Sequence, residues 1–288
     1  MHEPTIRHQP FRIAWQVLFA ALVPVCAAVA APAPVPGHGG ASQLSGPVSL
    51  EAHKASYDLS LASTHGGSTV AASGTMSFQV TDACTGWASQ QQLRLQLVTR
   101  EGQASDMVSD YATLESKDGR HLTFDMQEHD NGSMTQQVRG EASLDAKGDG
   151  VIHFTLPTRS TMVLPHGTLF PMAHTAAIIE AARAGRRSID PVLFDGTSAD
   201  GPTDSYVTIL GWQPAPSQSD FPSLQQQGSG QVHVAFFARK PNAITPDYEI
   251  GMRYFDGGVS DRLDMDFGDF TMRGTLTRFV PGKKPAHC

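Results

Sequence analysis

Apolar and polar residues alternate along most of this chain, and the alternation constrains its fold more than any other feature. The pattern is clear at Leu93-Arg94-Leu95-Gln96-Leu97 and returns at residues 232–236 and 263–267. Because successive side chains of a β-strand point to opposite faces, the pattern predicts strands with one buried and one solvated face. Turn sequences such as Asp130-Asn131-Gly132 separate the runs. We therefore predict a mainly β protein with about a dozen antiparallel strands in a barrel or sandwich.

One segment departs from the alternation. Residues 164–185 are rich in Ala from Pro171 onward. Pro is favoured in the first turn of a helix and Gly just after the last turn, and Pro171 and Gly185 meet both preferences. Arg183 in the last turn would face the negative end of the helix dipole. The segment predicts one helix of about three turns that packs in or against the sheet.

The N-terminus has the pattern of a secretory signal peptide. Arg12 precedes an uncharged apolar run over residues 13–30, which ends in Ala28-Val29-Ala30. A basic start, a short apolar middle and small residues before the cleavage point are typical of such signals. We therefore predict a signal peptide over residues 1–30 and a periplasmic protein. The alternatives are a single membrane anchor, for which the run is short, and lipidation at Cys26.

The rest of the sequence divides into a leader and one domain. Residues 31–50 are rich in Pro, Gly, Ala and Ser, which is the composition of a flexible leader. Residues 51–288 are predicted to form a single domain, with no transmembrane segment after removal of the signal. The chain has 21 Lys and Arg against 28 Asp and Glu, a net charge of −7. This acidic balance argues against nucleic acid and anionic lipid surfaces as partners.

Three cysteines are present, and removal of the signal would leave Cys84 and Cys288. An even number of cysteines in an exported protein favours a disulfide, and two free thiols are the alternative. A bridge would close a loop of about 200 residues, for which the chain-entropy model gives about 5 kcal/mol. The C-terminal cysteine is therefore predicted to tie the end of the chain to the domain.

The common sequence motifs of catalysis are absent. The chain has no G-x-S-x-G elbow, no Gly-rich phosphate loop and no H-E-x-x-H. The acidic run at residues 261–269 lacks the spacing of a calcium loop. We predict no cofactor, no metal site and no enzymatic activity. His174, near the helix start, is interpreted as a structural residue that fixes the strand–helix corner, with pocket lining as the alternative.

Four stretches carry a resemblance to a known family. They are residues 53–61, residues 82–87, residues 164–174 with 192–196, and residues 258–260 with 266–270. In this order they resemble the EipB family of periplasmic cell-envelope integrity proteins. The resemblance implies a long curved antiparallel sheet, an open β-spiral or barrel with at least one helix packed in or against it. It also implies a disulfide between Cys84 and Cys288, and a role in envelope integrity in alphaproteobacteria without established enzymatic activity.

Three functional hypotheses follow. The first is a non-catalytic periplasmic protein that binds a lipid, acyl chain, lipoprotein or peptide in its curved sheet. The second is an interaction module that docks on an envelope protein and carries no small molecule. The third is an unrecognised hydrolase centred on His174 or His166. The candidates for a structural motif or pocket are Gly167, Phe170, Pro171 and His174.

Overall fold

The structure is a computed structural model that describes residues 48–241 and 243–288. The predicted signal peptide, residues 1–30, and residues 31–47 of the predicted leader lie outside this part. The described residues form fifteen strands and two helices. The strands are β1 (His53–Thr64), β2 (Thr69–Asp82), β3 (Gly86–Thr99), β4 (Ala104–Ser116), β5 (His121–Asp130), β6 (Ser133–Leu144), β7 (Gly150–Leu156), β8 (Ser160–Leu164), β9 (Ser188–Ile189), β10 (Val192–Leu193), β11 (Thr203–Gln213), β12 (Ser229–Ala238), β13 (Tyr248–Phe255), β14 (Ser260–Asp266) and β15 (Phe270–Pro281). The helices are α1 (Pro171–Arg183) and α2 (Pro222–Gln225).

The strands form one antiparallel sheet. Its order is β10-β11-β12-β13-β14-β15-β1-β2-β3-β4-β5-β6-β7-β8, and β9 pairs with β11 beside this path. The chain therefore forms two meanders, β1 to β8 and β10 to β15, which meet where its two ends pair. The sheet is curved and does not close into a complete barrel. The prediction of a mainly β protein with an open curved antiparallel sheet and a helix is confirmed.

Fifteen strands exceed the predicted dozen because several strands are very short. β8 has five residues, and β9 and β10 have two residues each. Alternation needs about four residues before it becomes visible in a sequence. Strands of this length form because neighbouring strands supply their hydrogen-bond partners.

The pairing of β1 with β15 holds the two meanders together. Residues 53–64 lie antiparallel to residues 270–281, with register shifts after Ser56 and Leu61. Their buried side chains belong to one apolar cluster, which includes Tyr57. The Tyr57 hydroxyl also donates to the Ser260 carbonyl oxygen at 2.6 Å, which ties β1 to β14. The first and last strands of the chain therefore lie side by side in the middle of the sheet.

Helix α1 has the predicted bounds and packs on the second meander. Its buried residues Ile178, Ala181 and Ala182 contact apolar side chains of β11 and β12, among them Val207 and Val232. An amphipathic helix is stabilised mainly by such packing rather than by its own propensity. Helix α1 therefore covers apolar side chains that the curved sheet would otherwise expose.

The segment after β10 covers the other meander. Phe194 packs edge-on against Phe124 of β5 and Phe154 of β7, with ring centroids 5.3 and 6.2 Å apart. Leu169 forms an isolated parallel bridge with Leu193, which brings the chain beyond β8 next to β10. The apolar face of the sheet is therefore occupied by parts of the chain itself, with α1 on one meander and the Phe194 segment on the other.

Replacement of Gly196 by alanine should strongly lower the stability of the fold, because the space next to Gly196 is filled. A Cβ atom at Gly196 would lie 2.4 Å from Cγ of Phe124, whereas at Gly167 nothing lies within 4 Å, although the φ angles are +77° and +75°. We expect Gly196→Ala to lower the free energy of unfolding by about 2–4 kcal/mol, through backbone strain and overpacking. Gly167→Ala carries the strain alone and should cost about 1–2 kcal/mol. Urea unfolding of both variants measures the difference, and equal losses would contradict the packing described for Phe194 and Phe124.

Candidate functional site

The end of the chain is joined to the turn between β2 and β3. Cys84 and Cys288 form a disulfide with their Cα atoms 5.4 Å apart. Cys84 has a φ of +66°, in the left-handed region that disfavours side chains. Asp82 Oδ1 accepts a hydrogen bond from the Cys84 backbone N–H at 2.9 Å, a local Asx-type contact that stabilises this turn. The turn sequence between Asp82 and Gly86 therefore presents Cys84 to the tail of β15.

Lys117 links this turn to the start of β3. Its Nζ lies 2.6 Å from Asp82 Oδ1 and 4.9 Å from the ring centroid of Trp87. The hydrogen bond from Lys117 lowers the pKa of the Asp82 carboxyl. A cation held over an indole face gains a further electrostatic attraction. Lys117 therefore restrains the orientation of Trp87, which is half-buried.

Glu115 of β4 holds the start of helix α1. Its Oε2 accepts a hydrogen bond from Met172 N–H at 2.7 Å, and its Oε1 accepts one from Ala173 N–H at 2.8 Å. The residue before the helix, Phe170, offers no capping oxygen, so Glu115 supplies the acceptor from another element. Glu115 is 1% exposed. Burial raises the pKa of Glu115 to about 7, while the two backbone donors act in the opposite direction.

These elements surround one groove of about 500 Å³. We call it the Trp87 groove. Its apolar wall includes Leu50, Trp87, Met172 and Ala176, and its polar rim contains Asp82, Ser116, Lys117 and Lys284. Ligand sites of small molecules commonly have this size and this mixture of apolar wall and few polar groups. The groove is the candidate functional site because it joins the disulfide turn to the helix start.

The candidate residues from the sequence are only partly brought together. Pro171 begins α1 next to the groove, and the buried Phe170 precedes it in the phenylalanine cluster. Gly167 lies in a turn whose N–H donates to the Gly148 carbonyl oxygen at 3.1 Å, away from the groove lining. His166 is exposed and lies 3.3 Å from Asp149. The motif therefore builds the corner before the helix, and the groove itself is lined from Met172 onward.

His174 points away from the groove, toward β11. Its Nε2 lies 2.9 Å from Ser205 Oγ, and the Ser205 hydroxyl donates to the Pro191 carbonyl oxygen at 2.8 Å. Burial lowers the pKa of His174 to about 4, so the ring is neutral at pH 7. Ser205 is 2% exposed, and neither it nor His174 lines the Trp87 groove. The structural role inferred for His174 remains a prediction, and its contact reaches the backbone through Ser205.

Sequence reasoning missed Glu115, Lys117 and Ser205. Each contacts a residue far away in the chain: Glu115 and Met172 are 57 positions apart, and His174 and Ser205 are 31 positions apart. A signal for Glu115 was present, because a helix that begins Phe-Pro lacks a capping side chain and needs an acceptor from elsewhere. No comparable signal pointed to Ser205.

Two further features concern metals and membranes. Within residues 48–241 and 243–288, no group of three or more His, Cys, Asp or Glu side chains is arranged to hold a metal ion. Neither of the two helices in that part of the chain has the length and hydropathy required to span a bilayer.

Comparisons with known proteins concern the family and the fold of this chain. The model of a family described as EipB-like matches residues 45–282. A relative, the cell envelope integrity protein EipB of Brucella abortus (strain 2308), is 28% identical over 265 residues, which cover 88% of this chain and 92% of the relative. A crystal structure of a beta-barrel-like protein of a domain of unknown function from Brucella abortus has a TM-score of 0.75 and 25% identity. That match covers 82% of this chain and 100% of the other.

Glu115 predicts a pH-dependent stability. In the folded state its pKa is about 7, against 4.5 for an ordinary glutamate. Between these values the folded protein keeps a proton that the unfolded chain has lost, so the free energy of unfolding falls as pH rises from about 4.5 to 7. The full change is about 3 kcal/mol. Melting curves of wild type and Glu115→Gln over this range should diverge with pH, whereas the exposed Glu101→Gln should follow wild type; parallel curves for Glu115→Gln would contradict the assignment.

The disulfide predicts a redox-dependent stability. We expect reduction, or Cys288→Ser, to lower the free energy of unfolding by up to about 5 kcal/mol, because the open chain regains the entropy of a long loop. Urea unfolding with and without reductant measures the loss. Cys288→Ser serves as the control, since it should not respond to reductant. An intact-protein mass that is unchanged by reduction would show that the bond does not form.

Proposed function

The chain belongs to the EipB-like family, and we propose on this basis that it supports the integrity of the bacterial cell envelope as a non-catalytic periplasmic protein. The relative from Brucella abortus bears the name cell envelope integrity protein. The basic and apolar N-terminus predicts export. A disulfide between Cys84 and Cys288 suits an oxidising compartment such as the periplasm.

The ligand that the geometry favours is apolar or amphipathic, and the Trp87 groove is its site. The concave apolar face, where the sequence placed the ligand, is covered by α1 and by the Phe194 segment. The Trp87 groove remains open and combines an indole ring and a methionine with two lysines. An acyl chain or the apolar side chains of a peptide would lie against Trp87 and Met172. Lys284 on the rim would meet an acidic group of such a ligand, while Lys117 stays paired with Asp82.

One observation carries this proposal. Asp82 and Lys117 fix the Trp87 ring, so the apolar wall is already in place before a ligand arrives. A fixed aromatic surface loses little conformational entropy on binding. A catalytic role centred on His174 finds less support, because Ser205, the hydroxyl that contacts His174, is itself buried.

A second candidate function is an interaction module that docks through a sheet edge. Strand β8 pairs with β7 on one side and ends the sheet on the other. Its Val163 is 77% exposed. Unpaired strand edges accept an extended segment of a partner through main-chain hydrogen bonds. In this alternative the partner is an envelope protein that adds a strand to β8.

Complementation separates the two candidates. A deletion strain challenged with detergents and cell-wall antibiotics is rescued with wild type, Trp87→Ala, Val163→Lys or Tyr206→Ala. If the groove carries the function, we expect Trp87→Ala to fail and Val163→Lys to rescue, because a lysine blocks only the edge. Tyr206→Ala is the control, since Tyr206 is an exposed aromatic outside both sites.

The opposite pattern, with rescue by Trp87→Ala and failure of Val163→Lys, would support the interaction module. Native mass spectrometry of protein from the periplasm provides a direct measurement. We expect a co-purified lipid or peptide on wild type and its loss from Trp87→Ala. Rescue by both variants would reject both sites.

A further inference from the structure

A second groove lies at the other end of helix α1. It has a volume of about 660 Å³ and is lined by Arg183, Arg186, Arg187, Ile209, Leu210 and Trp212, among others. We call it the arginine groove. Six positions separate Ala176 of the Trp87 groove from Ala182 of this one, which is roughly 9 Å along the helix, and the two linings share no residue. The arginine groove is therefore a separate site and does not depend on the function proposed for Trp87.

Three arginine side chains line this groove, although the net charge of the chain is −7. Arg183 Nε lies 3.7 Å from Asp256 Oδ1, which partly compensates its charge. Arg186 and Arg187 are exposed, and in the part of the chain that the structure describes neither takes part in an ion pair. The groove thus has a local positive charge that an acidic group of a ligand would neutralise.

The backbone holds both arginines in place. Gly185 ends the helix at a φ of +72°, and Arg186 N–H donates to the Ala181 carbonyl oxygen at 2.9 Å. The Arg187 carbonyl oxygen accepts a hydrogen bond from Ile209 N–H at 2.8 Å. The next residues form β9, which pairs with β11. The backbone of Arg186 and of Arg187 is therefore fixed at one rim of the groove, and both side chains extend from there.

An apolar surface adjoins these charges. The register between β11 and β12 shifts between Ile209 and Gly211, so Leu210 is the extra residue of a β-bulge. Bulges redirect side chains and are frequent near functional sites. Leu210 is 66% exposed, and Trp212 lies next to it in the groove lining. An exposed leucine and an indole beside two arginines form an amphipathic surface.

We propose that the arginine groove binds one molecule of an anionic amphiphile, an alkyl chain with a phosphate or carboxylate headgroup. The headgroup contacts Arg186 and Arg187, since planar guanidinium groups pair with such oxygens in a bidentate manner. The alkyl chain lies on Leu210 and Trp212. A single molecule fits better than a membrane plane, because the acidic remainder of the chain would be repelled by an anionic surface.

Compensation of the helix dipole is the simpler role for basic residues near a helix end. Arg183 lies in the last turn of α1 and serves this purpose. Arg186 and Arg187 follow the glycine that ends the helix. If they acted on the helix alone, replacing them would lower its stability and leave amphiphile binding unchanged.

Calorimetric titration of the full chain with dodecyl phosphate, below its micelle concentration, tests the proposal. Each arginine near an anionic group contributes roughly a factor of five in affinity, so R186A/R187A should bind roughly 25-fold more weakly. The exposed pair R94A/R120A changes the net charge equally and should bind like wild type. All titrations are repeated in a Trp87→Ala background, in which the Trp87 groove no longer takes up an alkyl chain, and R186A/R187A should cause the same loss there, which separates the two sites.

Titration with two further ligands and with one further variant tests whether both the headgroup and the alkyl chain are recognised. Dodecyl phosphocholine, with no net charge, and inorganic phosphate, with no chain, should both bind wild type more weakly than dodecyl phosphate. Leu210→Ser should weaken dodecyl phosphate and leave inorganic phosphate unchanged. The proposal is overturned if R186A/R187A binds dodecyl phosphate like wild type, if the zwitterionic detergent binds equally well, or if inorganic phosphate binds as tightly. Should R186A/R187A melt below wild type, the Leu210→Ser comparison still decides the outcome.

Discussion

The pairing of β1 with β15 is the interaction on which the rest of this structure depends. It joins two meanders that would otherwise be separate sheets, each with a free edge at this position. The disulfide acts next to this pairing, because it ties the tail that follows β15 to the turn between β2 and β3. Tyr57 adds a contact to β14. The first and last strands are thereby placed in the middle of the sheet, and the edge strands β8 and β10 belong to the middle of the sequence.

This topology determines where a ligand has room. The long connection between β8 and β11 contains α1 and the Phe194 segment, and it covers the apolar faces of both meanders. The Trp87 groove and the arginine groove adjoin opposite ends of α1. One of them combines an apolar wall with lysines, and the other combines a bulged leucine with arginines. The helix is therefore both the cover of the apolar face and the common wall of the two sites.

Much of the fold was predictable because its signals are local. Alternation indicated the long strands, and Pro171 with Gly185 indicated the bounds of α1. The interactions that build the site are not local. Glu115 meets the helix start only because β4 happens to pass beneath it, and the register shift at Leu210 depends on its partner strand. Neither of these two features leaves a periodic pattern in the sequence. The disulfide and the helix start were therefore predicted, but the groove that lies between them was not.

The pairing of β1 with β15 also determines how late in synthesis the sheet can be completed. Residues 53–64 are synthesised before every other strand, and their partner, residues 270–281, after every other strand. Until then β1 can pair only with β2, and its other edge is open to chaperones or to aggregation. Contacts of such high sequence separation slow folding. A chain that stopped before residue 270 would lack the partner strand of β1, and that edge would stay uncovered. The sheet can therefore be completed only when the last strand has been made.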